Sequence, residues 1–163
     1  MIKVAIITIS DKGARGQRED ISKKTIEKIL EKLETDVIWY SIVPDEMSSI
    51  KSALIEAIEV HQADLVLTTG GTGFSRRDIT PEATRAVIEK IVPGISEIIR
   101  IESFKKTPHA ILSRAIAGIR GKSLIINLPG SPKGVQESLA VILKALPHGI
   151  DILKGEADEC GNE

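Results

Sequence analysis

Residues 2–9 are nearly continuous in apolarity and rich in β-branched side chains, the pattern of a strand covered on both faces within a parallel sheet. A polar loop follows to about Asp20. Ile26, Ile29, Leu30 and Leu33 then recur at i, i+3, i+4 and i+7, so an amphipathic helix comes next, with its Lys and Glu residues turned to water. Residues 37–43 form the second expected strand. Pro44 and Asp45 punctuate it, and Ile50, Ala53, Leu54, Ala57 and Ile58 make a second helical stripe ending near His61. Leu65–Thr69 is the third strand. The glycine-rich stretch 70–81 must then enter a helix, because Thr80 offers an N-cap and Pro81 suits the first helical position; Ala83, Ala86, Val87, Lys90 and Ile91 carry that helix onward. Pro93-Gly94 breaks it. Shorter helices follow through Ile98, Ile99, Leu112 and Ile116, ahead of Gly118 and Gly121. Ser123–Leu128 is the fourth strand, residues 129–134 are a compact loop, and Val135, Leu139, Ile142, Leu143 and Leu146 mark a closing helix.

Strands alternating with helices imply βαβ units with right-handed crossovers. The expected class is α/β, a three-layer α/β/α sandwich with a mostly parallel sheet. One domain over residues 1–154 and a short acidic tail over 155–163 account for the chain. Its 163 residues and 17.6 kDa fit a single core, and a chain of this length buries roughly 70% of the surface its unfolded form exposes, without disulfides. The one cysteine, Cys160, suits a reducing compartment, and no stretch approaches the roughly 18–20 apolar residues that cross a bilayer. A cytoplasmic protein is expected. With 22 basic against 23 acidic residues, a net charge of -1 and four aromatic residues, the chain has neither the field nor the stacking platforms of a nucleic-acid binder. Any anion must be met locally.

In an open parallel sheet, ligands bind beyond the carboxyl ends of the strands. That rule collects Ser10 and Asp11 after the first strand, Asp45 after the second, the 70–78 loop after the third, and Asn127 with the 129–134 loop after the last. Gly70, Gly71, Thr72 and Gly73 let a ligand come close to backbone, yet they match neither the Walker nor the dinucleotide pattern, and a tight strand-to-helix turn explains them equally well. Arg76 and Arg77 beside them tilt the balance toward a phosphate. Asp45 and Asp78 are the rim's two carboxylates, a pair able to hold Mg²⁺ while phosphates complete its shell. Singly, Asp45 serves as well for a helix cap and Asp78 for a turn. Lys133 stands as a phosphate anchor or a solvated lysine, and Ser131 as a ligand contact or a helix cap. Glu82 most simply complements a helix dipole. His61, His109 and His148 are too scattered for a zinc site, and Gly130-Ser131-Pro132 is no nucleophile elbow.

Thr68-Thr69-Gly70-Gly71-Thr72-Gly73, with Arg77-Asp78-Ile79-Thr80-Pro81-Glu82-Ala83-Thr84 after it, resembles the signature of the molybdenum-cofactor biosynthesis family. Ile6, Thr8, Ser10 and Asp11 at the first strand, Pro44-Asp45-Glu46, Leu112-Ser113-Arg114, Ala117-Gly118-Ile119-Arg120-Gly121 and Asn127-Leu128-Pro129-Gly130-Ser131-Pro132-Lys133 are similar to that family in the same order, over roughly the first 150 residues. The resemblance implies a homotrimer that binds molybdopterin and Mg-ATP, transfers AMP to the pterin's terminal phosphate, releases pyrophosphate and hands its product to a metal-insertion enzyme. It also implies that Asp45 and Asp78 are the functional, Mg²⁺-holding aspartates. Ser10, Asp11, Gly70, Gly71, Thr72, Gly73, Gly130, Ser131 and Lys133 match its ligand-binding segments. The retained Arg-Asp-x-Thr-Pro pattern favours the adenylyltransferase branch. A non-catalytic molybdopterin carrier or trimeric scaffold is the alternative, needing the glycine loops but not the paired aspartates. A phosphate-ester hydrolase is disfavoured, since no general base is apparent beyond those two residues.

Overall fold

A computed structural model of the chain describes residues 1–157. The chain runs β1 (Ile2–Ile9), α1 (Asp11–Ala14), α2 (Ile21–Leu30), β2 (Thr35–Val43), α3 (Met47–Ile55) with a π-helical turn at Glu56–Val60, β3 (Leu65–Thr69), α4 (Thr80–Val87), β4 (Lys90–Ile91) and α5 (Pro93–Phe104). A 3₁₀ turn at Pro108–Leu112, β5 (Ala117–Arg120), β6 (Ser123–Leu128), α6 (Pro132–Ile142) and α7 (Leu146–Lys154) complete it. The described residues form one six-stranded sheet of order β2-β1-β3-β6-β5-β4. Neighbours are parallel from β2 to β6, whereas β5 and β4 run antiparallel to their neighbours.

Alternation along β1 sorts its side chains onto two faces, as a pleat with a period of two requires. Val4 and Ile6 pack into a core with α2, α6 and α7, while Ala5, Ile7 and Ile9 pack into a second core with α3 and α4. That is the expected three-layer sandwich. Register makes its carboxyl edge level: Thr8 lies opposite Thr69, and Thr69 opposite Leu128. The order reverses about β1, with β2 on one side and β3 on the other, so a crevice opens between the loops that leave those strands.

Several local expectations need correction. Lys90 and Ile91 lie in a short edge strand rather than in the preceding helix, which ends where Ile88 turns extended at ψ 149°. Their i, i+4 spacing mimics a helix, but Pro93 bars helical geometry just ahead of itself. Residues 117–120 form a strand where a helix end and glycine breaks were expected. At Gly118 a Cβ would lie 2.8 Å from the Lys90 carbonyl and closer still to Ile88, so the missing side chain admits β4. The closing helix is two helices, interrupted at residues 143–145. Thr80 is the first helical residue, not the cap, and its hydroxyl donates to the Gly70 carbonyl at 2.9 Å. Asn127 is buried within β6, donating to Thr68 and Thr84. The expected tail begins at Gly155, and its residues from 158, Cys160 among them, lie outside the described ones.

Gly70 carries the sharpest steric demand on this edge. At φ +100° its missing Cβ would lie 2.3 Å from the Ile9 carbonyl oxygen, whereas Gly16, at φ +69°, has nothing within 4 Å. Gly70→Ala is therefore expected to cost about 3 kcal/mol in urea unfolding and Gly16→Ala only the left-handed backbone penalty of about 1 kcal/mol. Equal costs for the two substitutions would contradict this packing.

Candidate active site

The site is assembled from the loops that leave β1, β2 and β3. Ser10 follows β1 and caps α1, its hydroxyl accepting the Gly13 N–H at 3.0 Å. The turn this fixes presents Asp11 to the end of β2. There the two residues bond reciprocally: the Asp11 N–H donates to Asp45 Oδ2 and the Asp45 N–H to Asp11 Oδ1, each at 3.0 Å. Arg77, from the loop after β3, forks onto the same Asp11 carboxylate with Nε 2.9 Å from Oδ2 and Nη2 2.8 Å from Oδ1. That bidentate guanidinium holds the Asp11 carboxyl below the usual carboxylate range. Arg77 is thus a brace among three loops, not an unengaged cation.

Asp45 is half-buried. Burial pushes its carboxyl above the ordinary range, the Asp11 N–H pulls it down, and the charges of Asp11 and Asp78 push it up again. Asp78 closes its own turn, Oδ2 accepting the Ser75 N–H at 2.9 Å. The glycine loop passes against both carboxylates. A Cβ on Gly71, at φ +67°, would lie 2.3 Å from Thr80 Oγ1 and 3.1 Å from Asp45 Oδ1, and one on Gly73 would lie 2.9 Å from Asp78 Oδ2. Arg114 laces the far side, donating to the carbonyls of Gly73 and Asp78 at 2.8 Å each and pairing with Glu82.

A cavity of about 470 Å³ opens at this edge. Of the residues read from the sequence, Ser10, Asp45, Gly70, Gly71, Asp78, Gly130 and Ser131 line it. Asp11 braces it from behind. Thr72 and Gly73 line a neighbouring cavity of about 320 Å³ instead. Lys133 lies exposed in the first turn of α6, because that helix starts at Pro132, inside the expected loop, and it lines neither cavity. Ser131 caps α6 and accepts the Gly134 N–H at 3.1 Å. Asp45 does not cap α3, whose N-cap position is Glu46. His61 stacks on Trp39 with ring centroids 4.9 Å apart.

Sequence reasoning missed the cavity's outer wall. Asp20 caps α2, Oδ1 accepting the Lys23 N–H at 2.9 Å, while Oδ2 accepts the Tyr40 hydroxyl at 2.6 Å and also that of Thr8. An Asp directly before a helical stripe is a capping signal, but nothing in the spacing reveals its partners on β1 and β2. Chemically, the arrangement offers two carboxylates from separate loops, set on one cavity beside side-chain-free backbone. Among the described residues no cluster of three or more His, Cys, Asp or Glu could form a metal cage. Such a pair suits a hard divalent cation whose other positions go to phosphate oxygens and water.

The family described as a probable molybdopterin binding domain matches residues 5–148. A molybdopterin adenylyltransferase of Helicobacter pylori is 46% identical over 94% of this chain and 89% of its own length. The chain belongs to the molybdopterin-binding family of molybdenum-cofactor biosynthesis. The Escherichia coli molybdopterin adenylyltransferase is 38% identical over 91% of this chain and 80% of that protein. Among solved structures of this family, the molybdopterin biosynthesis enzyme MoaB of Thermus thermophilus superposes with a TM-score of 0.90 at 47% identity, covering 95% of this chain and 98% of that one. A tungsten cofactor synthesizing protein of Pyrococcus furiosus gives 0.84 at 41% identity, covering 95% and 96%.

A carboxylate kept half-buried in this family's fold has a thermodynamic consequence. Asp45 titrates higher in the folded chain than the ordinary 3.8, so folding takes up protons and stability falls as pH rises from about 3.8 through the raised value. Asp45→Asn keeps an acceptor for the Asp11 N–H and removes the charge. Melting curves should place the variant above wild type at pH 7, with the gap closing as pH is lowered toward 4. A gap that persists or widens at low pH would contradict the assignment.

Proposed function

We propose that this chain is a molybdopterin adenylyltransferase, transferring AMP from Mg-ATP to the terminal phosphate of molybdopterin and releasing pyrophosphate. The observation that carries the reading is the convergence of Asp45 and Asp78 on one cavity beside the Gly70–Gly71 turn, in a chain whose relatives bear that name. In this reaction an oxygen of the pterin phosphate attacks the α-phosphorus of ATP, the bond from that phosphorus to the oxygen bridging the β-phosphate breaks, and pyrophosphate leaves with the bonding electron pair. The attacking phosphate is already ionised at neutral pH. No general base is needed, and positioning with charge neutralisation carries the catalysis.

The chain's own groups fit that task. Asp45 and Asp78 would hold the Mg²⁺ that accompanies ATP, which when bound neutralises charge building on the phosphates. Ser10 and Ser131 each accept a backbone N–H, so their hydroxyl protons are left to donate to phosphate oxygens in the cavity they line. The bare backbone at Gly70 and Gly71 allows a substrate to lie directly against the rim. Lys133 follows Pro132 at the mouth and would meet an anionic group from outside. Around this site we place a homotrimer, in the cytoplasm, passing its product to a metal-insertion enzyme. Exposed Ile98, Ile101, Phe104, Ile111 and Leu112 on α5 and the 3₁₀ turn are apolar surface of the kind subunit contacts cover. No helix among the described residues is long and apolar enough to cross a membrane.

Purified protein given Mg²⁺, ATP and molybdopterin should release pyrophosphate only when the pterin is present. Asp78→Asn should bind the pterin as wild type does but lose about 100-fold or more in turnover, the scale of removing one electrostatic stabiliser of a transition state. Full function in the Asp45→Ala, Asp78→Ala double variant would instead make the protein a carrier, and nucleotide consumption without pterin would make it a hydrolase.

A further inference from the structure

The cavity is rich in carboxylate and poor in positive charge. Glu19, Asp20, Asp45 and Asp78 line it, and among the described residues Arg18 is the only cationic side chain that does. The other cations near this rim are spoken for or stand elsewhere. Arg77 is forked onto Asp11, Arg114 is tied to the carbonyls of Gly73 and Asp78 and to Glu82, and Arg76 and Lys133 are exposed and line neither cavity. Arg18 has no ion pair among the described residues, while its neighbour Glu19 is paired with Lys24 at 2.5 Å.

The segment that carries Arg18 is pinned. Two residues on, the Asp20 carboxylate receives the hydroxyls of Thr8 and Tyr40, from β1 and β2, together with the Lys23 N–H in the first turn of α2. Ser22 Oγ donates to the Gly130 carbonyl at 3.0 Å, fastening the same segment to the loop after β6. An acceptor-only carboxylate holding two hydroxyl donors is a stiff joint. It fixes the wall on which Arg18 stands, in the cavity that Asp45 and Asp78 also line.

We propose that Arg18 is a phosphate-binding residue of this cavity, its guanidinium held at the wall by the Asp20 joint and engaging one phosphate group of the bound substrates. The inference rests on the adenylyl-transfer reading for the identity of those substrates. The phosphate belongs either to the pterin or to the nucleotide, and the two are separable because each can be titrated alone. A planar, permanently charged guanidinium is suited to this role, since it meets phosphate oxygens with two parallel donors.

The test is equilibrium binding of ATP with Mg²⁺, and separately of molybdopterin, to the full chain as wild type, Arg18→Gln, Arg18→Lys and Arg15→Gln, alongside pyrophosphate release. Arg15 is exposed on the same segment and does not line the cavity. Arg18→Gln should weaken one of the two ligands by about ten-fold or more and flatten the salt dependence of its binding, Arg18→Lys should recover part of the loss, and Arg15→Gln should match wild type. The ligand that weakens is the one whose phosphate Arg18 holds. If wild type binds and turns over both substrates and Arg18→Gln binds each as tightly, the assignment of Arg18 is overturned and the adenylyl-transfer reading stands. If wild type neither binds them nor releases pyrophosphate, that reading falls and takes the Arg18 assignment with it.

Discussion

Asp11 is the joint on which the carboxyl edge of this sheet depends. Its N–H and one carboxylate oxygen exchange hydrogen bonds with the carboxylate and N–H of Asp45, and the Arg77 fork engages both oxygens of the Asp11 carboxylate. Three loops that leave three different strands are thereby held in one arrangement. Without such a joint each loop would be free to pack for its own stability, and a carboxylate as costly to bury as Asp45 would turn to water. The pairing is charge-assisted and bidentate, the geometry in which an ion pair contributes most to positioning. Its energetic worth is secondary, because the Arg77 side chain is largely solvated.

What the joint secures is an electrostatic tension. Asp45 keeps its negative charge in a half-buried place, near a second carboxylate, against the pull of desolvation. Such an arrangement lowers the stability of the empty protein and becomes favourable only when positive charge arrives between the two groups, which is how binding sites and folding stability come to oppose one another. The glycine turn completes the design, since Gly70 and Gly71 bring backbone against the end of β1 and against Thr80, where any Cβ would collide, and within close contact of Asp45. Elsewhere in the same cavity, the Asp20 joint performs for the wall what Asp11 does for the rim. Both are carboxylates used as acceptors between elements far apart in sequence.

Much of this was legible in the pattern of the chain. The buried strands β1, β3 and β6 were read from their apolar runs because a strand covered on both faces has no polar alternation to obscure it. The rim followed from topology, and so did the meeting of Asp45 with Asp78. The edge strands were not legible. Lys90–Ile91 is two exposed residues whose pairing is decided by Gly118, which makes room for it from a distant stretch, and no local spacing records such a fit. The same blindness covers the braces. Arg77, beside a glycine loop, tilted the reading toward a phosphate, yet its partner Asp11 lies 66 residues away in the turn that follows β1. Asp20 marked only the end of a polar loop in the pattern, yet it caps α2, and the partners of its second oxygen, on β1 and β2, belong to the fold and not to the local sequence.

The account stands on Asp45 and Asp78 jointly seating a divalent cation against a nucleotide. Electron paramagnetic resonance of Mn²⁺, used in place of Mg²⁺, reads that directly. With ATP present, wild type should show protein-bound Mn²⁺, and an Asp45→Asn, Asp78→Asn double variant of unchanged circular dichroism should show only the spectrum of Mn²⁺–ATP free in solution. Equal retention of bound Mn²⁺ in the double variant would contradict the account, for the cation would then be held without the two carboxylates around which the edge is built.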